Sequence, residues 1–132
     1  MIRKSLLYTL AILLVAVPLA AEEMTSRLCT LTRAYECTAD GECGELTIEE
    51  MALPRFVRID LDKQTIVSLD KAVKRNDTKI NLIKQLEEIT VLQGVEQRGW
   101  SIALGKESGN LTLSAAGDGH GFMVFGACLD PR

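Results

Sequence analysis

The chain has 132 residues, a formal net charge of −3 and 47% hydrophobic residues, values typical of one small globular domain. The acidic balance argues against a general nucleic-acid binder, because such proteins carry a basic surface. A single histidine and four cysteines leave few residues for metal or nucleophilic chemistry.

The first 21 residues have the layout of a secretory signal peptide. Arg3 and Lys4 precede an apolar run, and small residues at 20–21 precede Glu22. The run from 6 to 21 is shorter than the roughly 18 apolar residues of a membrane-spanning helix. We therefore expect cleavage after Ala21 and no stable membrane insertion afterwards. The mature part, 22–132, is then a single β domain in the periplasm or outside the cell.

All four cysteines lie in that mature part, and an even number in a small exported domain indicates two disulfides. Three pairings are possible. We favour Cys37–Cys43 as a local clip and Cys29–Cys128 as a tie between the first and last strands. No pair has CxxC spacing, which excludes a thiol-oxidoreductase motif, and a zinc site would have only His120 to add to the thiolates.

The segment from Glu36 to Glu50 holds six acidic residues and no basic one. Thr38-Ala-Asp-Gly41 is a turn signal between two cysteines. Aligned as a calcium loop, the segment has Thr47 where a bidentate acid is required, so we interpret it as a solvated, disulfide-clipped loop. Thr47 and Glu50 have the spacing of a capping box.

Short alternating segments on either side of this loop predict strands. The first is expected over 27–35, two more over 57–61 and 65–69 around a turn at Asp62-Lys63, and two over 78–84 and 88–96. A helix competes in the fourth segment, since Ile80, Ile83 and Leu86 recur at helical spacing.

The stretch from Gly99 to Cys128 predicts three antiparallel strands. Trp100, Ile102 and Leu104 alternate with small residues, and glycine-bounded loops follow at 105–109 and 117–121. The last strand, from Phe122 onward, is apolar on both faces. In total we expect an all-β antiparallel meander of about eight strands that forms a barrel or a sandwich.

Three stretches, 53–66, 93–104 and 114–128, resemble small exported bacterial proteins of uncharacterised function. The resemblance covers most of the mature chain and implies no activity. The predicted barrel also invites comparison with lipocalin-like and lysozyme-inhibitor barrels. The chain lacks the Gly-x-Trp and Ser-Gly-x-x-Tyr motifs of those two groups, and likeness of fold alone does not indicate function.

No catalytic constellation is present, so we expect no enzymatic activity, cofactor or bound metal. His120 lies between two glycines, without a nucleophile elbow to accompany it. The hypothesis we favour is a non-enzymatic exported module that binds a small apolar ligand or a protein. An apolar cavity behind Trp100 would favour the ligand, and a filled interior would favour surface recognition.

Two alternatives remain open at this stage. The acidic loop 36–50 would suit a secreted or periplasmic inhibitor of a lysozyme-like or other basic enzyme. A metal-dependent enzyme centred on Asp118 and His120 is the third hypothesis. The residues proposed for ligand or partner contacts are Trp100, Asp118, His120, Asp40 and Glu42.

Overall fold

The computed structural model describes residue 16 and residues 25–129. Apart from Ala16, the predicted signal peptide lies outside the described residues. All regular structure in the described part is antiparallel β-sheet, and no helix there has the length and hydropathy to cross a membrane. The strands are β1 (Ser26–Thr38), β2 (Cys43–Leu46), β3 (Phe56–Asp60), β4 (Thr65–Ser68), β5 (Thr78–Lys79), β6 (Leu82–Gln85), β7 (Ile89–Glu96), β8 (Arg98–Gly105), β9 (Asn110–Gly117) and β10 (His120–Leu129).

These strands form one sheet in the order β5-β4-β3-β1-β10-β9-β8-β7-β6, with β2 paired to the second half of β1. The sheet is curled into a half-barrel, so the sandwich alternative is wrong. The prediction of about eight strands was too low. The four-residue β2 had no alternation long enough to be recognised, and the strand predicted over 78–84 is interrupted.

The interrupted segment joins the two ends of the curled sheet. β5 pairs with β4 and β6 pairs with β7, and only Ile80 and Asn81 separate them in the chain. Their backbone N–H groups donate to the carbonyl oxygens of Gln64 and Gln93, one on each side. This segment is therefore extended rather than helical, because both of its flanks offer strand partners and Ile80 is fully buried in the core.

The core lies on the inner face of the sheet, as the two-residue alternation requires. In β10, for example, Val124 is fully buried while Met123 and Phe125 on either side are 38% and 39% exposed. Each fully buried aliphatic side chain contributes about 1.5–3 kcal/mol of transfer free energy. The largest such side chains are Ile59, Ile80, Leu92, Leu111 and Val124.

The two disulfides join the cysteine pairs that the sequence analysis favoured. Cys29 lies directly opposite Cys128 in the β1–β10 register, with Cα atoms 3.9 Å apart. This bond therefore links the first strand to the last one described. Cys37 lies opposite Cys43 in the β1–β2 hairpin, with Cα atoms 4.1 Å apart.

The predicted glycine-bounded turns are also present. Gly109, at the end of the β8–β9 turn, has φ +71°, a conformation that glycine adopts without steric cost. A Cβ at this position would lie 2.6 Å from the carbonyl oxygen of Cys128. The turn thus packs directly against the strand that carries the long-range disulfide.

Candidate functional site

The most distinctive surface lies on the outer side of the sheet, across β7, β8, β9 and β10. The register aligns the outward residues of these strands into cross-strand rows. The rows are Val95–Gly99–Ala116–Gly121, Gln93–Ser101–Ser114–Met123 and Val91–Ala103–Thr112–Phe125. We call these twelve residues the uncharged face.

No residue of the uncharged face carries a formal charge, although a quarter of the chain is Asp, Glu, Lys or Arg. The charged residues of these strands, Glu96 and Arg98, are at alternate positions that belong to the inner side of the sheet. The outer side of an antiparallel sheet that faces water normally carries polar and charged residues. Depletion of charge together with exposed Met and aromatic residues is instead typical of the centre of a protein interface.

A trough runs across this face, with a cavity volume of about 780 Å³. Its floor is the pair β8–β9, where every outward residue of the three rows is small. Val95 and Leu82 form one wall; they are 76% and 48% exposed. Met123 and Tyr35 form the other wall, and Cys37 extends it toward the β1–β2 hairpin.

The wall formed by β10 and β1 is a ridge of large side chains. The Tyr35 and Phe125 rings make an edge-to-face contact with centroids 6.1 Å apart. Met123 lies directly opposite Tyr35 in the register. We call Tyr35, Met123 and Phe125 the ridge. Phe125 is 39% exposed, and Tyr35 is half-buried.

Trp100 lies on the opposite, inner side of the sheet. Its ring lies over Gly94, where a Cβ would overlap with it, and it packs against the hydrophobic core. The Nε1 atom is buried and has no hydrogen-bond partner in the described part of the chain. Trp100 therefore contacts the core, and it is also one of the residues that line the trough.

Asp118 and His120 lie in different surroundings at the β9–β10 turn. Asp118 is exposed in the β9–β10 turn, whereas His120 begins β10 and is half-buried at one end of the inner face. The His120 Nδ1 atom lies 3.9 Å from a Glu36 carboxylate oxygen, and its ring centroid is 5.2 Å from that of Phe122. The Arg98 guanidinium covers the Phe122 ring at 4.6 Å. Within residues 16 and 25–129, no three His, Cys, Asp or Glu side chains converge as metal ligands would.

Several carboxylates of the acidic loop interact with neighbouring residues. The Glu45 Oε1 atom lies 3.9 Å from the Arg33 Nε atom, and Glu49 forms an ion pair with Arg55. The Thr47–Glu50 capping box is confirmed: the Thr47 N–H donates to the Glu50 carboxylate and the Glu50 N–H donates to the Thr47 hydroxyl. The box closes an isolated turn rather than an α-helix.

Two carboxylates of this loop lie at the tip of the clipped hairpin. Asp40 and Glu42 are both exposed there. Hydrogen bonds from the Thr38 side chain and from its own backbone N–H lower the pKa of Asp40, which is therefore ionised at neutral pH. Cys37 is the residue of this hairpin that lines the trough, whereas Asp40 and Glu42 do not line it.

Sequence reasoning missed the uncharged face, although part of its signal was present. Residues 99–105, 110–117 and 121–129 contain no charged side chain. Which of these residues become neighbours depends on the register between strands, which the sequence alone does not give. No protein-family model, curated protein or solved structure matches this chain.

Proposed function

We propose that this protein is an exported, non-enzymatic binding module that recognises another protein through the uncharged face. The observation that carries the proposal is the composition of that face: twelve outward residues on four neighbouring strands, none of them charged. Depletion of charge beside exposed Met and aromatic side chains is the composition found at the centre of protein interfaces.

The packed interior supports surface recognition over an enclosed ligand. A cluster of buried, mostly aliphatic side chains forms the core, and Trp100 packs against it. The trough on the outer face is open, and the side chains of its floor are small. Projecting side chains of a protein partner could therefore enter it. Export is supported by the two disulfides, since such bonds persist in oxidising compartments, and by the signal peptide predicted over 1–21.

The test is native mass spectrometry of the protein purified from its own compartment, with the wild type beside two variants. Ser114→Arg places a charge in the middle of the trough floor, and Thr65→Arg places the same group on β4, away from the uncharged face. We expect wild type and Thr65→Arg to retain a bound protein that Ser114→Arg loses. A wild type that carries nothing, or a Ser114→Arg variant that keeps its companion, contradicts the proposal.

A second candidate is inhibition of a basic enzyme through the hairpin tip. It is favoured by one observation: Asp40 and Glu42 project from a disulfide-clipped turn, while Glu45, Glu49 and Glu50 are engaged locally. Two fixed carboxylates would steer a cationic partner and add little affinity by themselves. A panel of lysozymes and other basic hydrolases assayed with wild type and with Asp40→Asn/Glu42→Gln tests it. Equal activity with and without the protein at micromolar concentration ends this candidate.

A further inference from the structure

We infer that the side of β6 that faces away from β7 binds an extended segment of another protein, which adds to the sheet as a further strand. We call this side of β6 the free edge. The added segment carries an acidic residue opposite Lys84 and an apolar residue two positions away on each side. This inference goes beyond the proposed function, because it concerns an edge of the sheet rather than the uncharged face.

β6 has a strand partner on only one of its two sides. It is the last strand in the order of the sheet, and it pairs with β7. Its other side continues the side on which β5 pairs with β4, and that pairing ends where the Ile80 N–H donates to the Gln64 carbonyl oxygen. Within the described part of the chain no strand continues from there along β6. The backbone of β6 therefore lies at an open edge.

Alternate residues of β6 direct their backbone groups toward the free edge. The Leu86 N–H donates to the Ile89 carbonyl oxygen, so Leu86 is at a hydrogen-bonded position of the β6–β7 ladder. Hydrogen-bonded and non-hydrogen-bonded pairs alternate along an antiparallel ladder, and the register is continuous along β6. Lys84 therefore bonds to β7, whereas Ile83 and Gln85 direct their N–H and C=O groups away from it.

An extended chain is the partner that matches these backbone groups. Ile83 and Gln85 each offer one N–H and one C=O, so a strand laid along the free edge can form up to four hydrogen bonds. Strand addition of this kind is a recurring mode of peptide recognition. A helix satisfies its own backbone groups internally and would leave those of the free edge to water.

The side chains next to the free edge favour apolar residues in the added strand. Leu82, Lys84 and Leu86 alternate onto the outer side of the sheet. Leu82 and Leu86 are 48% and 44% exposed. Leu82 also lines the trough, on the wall opposite the ridge. Apolar side chains directly opposite these two leucines would cover both of them.

The charge of Lys84 favours an acidic residue and disfavours a second copy of this chain. Lys84 is exposed and forms no ion pair within residues 16 and 25–129. If two copies paired their free edges so that Ile83 of each bonded to Gln85 of the other, Lys84 would lie opposite Lys84. Like charges directly opposite each other destabilise a strand pair, whereas a carboxylate opposite Lys84 stabilises it.

Amide hydrogen exchange, measured by NMR on the mature, oxidised protein, tests the inference. The probe is a synthetic threonine peptide with blocked ends, a central aspartate and a valine two positions away on each side. In the free protein the Lys84 amide should exchange more slowly than those of Ile83 and Gln85. With about 5 mM peptide, enough to form about 90% of a complex whose dissociation constant is about 0.5 mM, the Ile83 and Gln85 amides should exchange about tenfold more slowly.

Methylated peptides test whether the backbone makes the contact. N-methylation of the two residues that flank the aspartate removes the N–H groups that would face β6, so it should abolish the protection. N-methylation of the two valines, whose N–H groups would face away, should preserve it. Ile83 and Gln85 amides that are already protected in the free protein, or that stay unprotected with the peptide, overturn the inference. Equal effects of the two methylated peptides also overturn it.

Charge variants test the acidic residue and the position of the peptide. Lys84→Glu should weaken binding of the aspartate peptide by about fivefold and should favour a peptide with lysine in its place. Lys71→Glu makes the same change of charge in the loop between β4 and β5 and should leave the affinity unchanged. Equal affinities of Lys84→Glu and wild type for the two peptides overturn the acidic partner. Ser114→Arg should bind as wild type does, and loss of binding there would mean that the peptide occupies the trough, which overturns the inference without affecting the proposed function.

Discussion

Removal of the Cys29–Cys128 bond should destabilise the protein more than removal of the Cys37–Cys43 bond. The first closes a loop with a sequence separation of 99 and the second a loop with a separation of 6. Restriction of the unfolded chain predicts about 4.7 kcal/mol for a loop of about 100 residues and about 2.4 kcal/mol for one of about seven. Cys29 and Cys128 are also buried, so alanine at both sites loses packing as well.

The assay is urea denaturation of Cys29→Ala/Cys128→Ala, Cys37→Ala/Cys43→Ala and wild type under oxidising conditions. The free energy of unfolding should fall by about 2 kcal/mol more in the first double variant than in the second. The free energy of unfolding of a small domain is about 5–15 kcal/mol in total. A result in which only Cys29→Ala/Cys128→Ala loses its cooperative transition would therefore also agree with the prediction. Equal losses, or a larger loss without the short-loop bond, would refute it.

Three further predictions concern packing, backbone conformation and charge. Gly94→Ala should lower stability by about 1–3 kcal/mol and alter the Trp100 fluorescence, because a Cβ would overlap with the indole; Gly99→Ala has open space and should change stability by less than about 1 kcal/mol. Gly109→Ala should lower the urea midpoint more than Gly119→Ala, since both have positive φ but only the first meets a carbonyl oxygen; equal midpoints would contradict this. Bonding to Arg55 lowers the pKa of Glu49, so any stabilisation from the ionised carboxylate is present above the ordinary glutamate pKa and lost as pH falls through the lowered one. NMR titration should therefore show the Glu49 pKa rising in Arg55→Met, whereas an unchanged pKa would show that Arg55 is not its cause.

Local sequence patterns predicted much of the fold. The three strands of the 99–128 stretch and their turns follow from alternation and glycine placement, and these signals are local. The two favoured disulfides are confirmed. The long-range bond is possible because β1 and β10 are neighbours in the sheet, and the short-range bond because Cys37 and Cys43 flank one hairpin turn. The segment around Ile80 was ambiguous, since Ile80, Ile83 and Leu86 fit a helical face as well as a bulged strand. Only partners on both flanks decide between those two conformations.

The candidate site was harder to predict, for a different physical reason. Gly99, Ala116 and Gly121 lie on three different strands and become one row only when two registers, β8–β9 and β9–β10, are fixed. A shift of one residue in any strand would reverse its two faces and remove the row. Sequence reasoning instead selected residues by chemical type, such as His120 and Trp100, and the structure places both of these on the inner side of the sheet.

The accessibility of Met123 in the native protein tests the central claim most directly. Its side chain is 38% exposed in a single chain, at the edge of the trough. If a protein covers the uncharged face, oxidation of Met123 by peroxide should be slow in wild type and at least about tenfold faster in Ser114→Arg, as mass spectrometry of peptides would show. Equally fast oxidation of Met123 in both proteins would contradict the account.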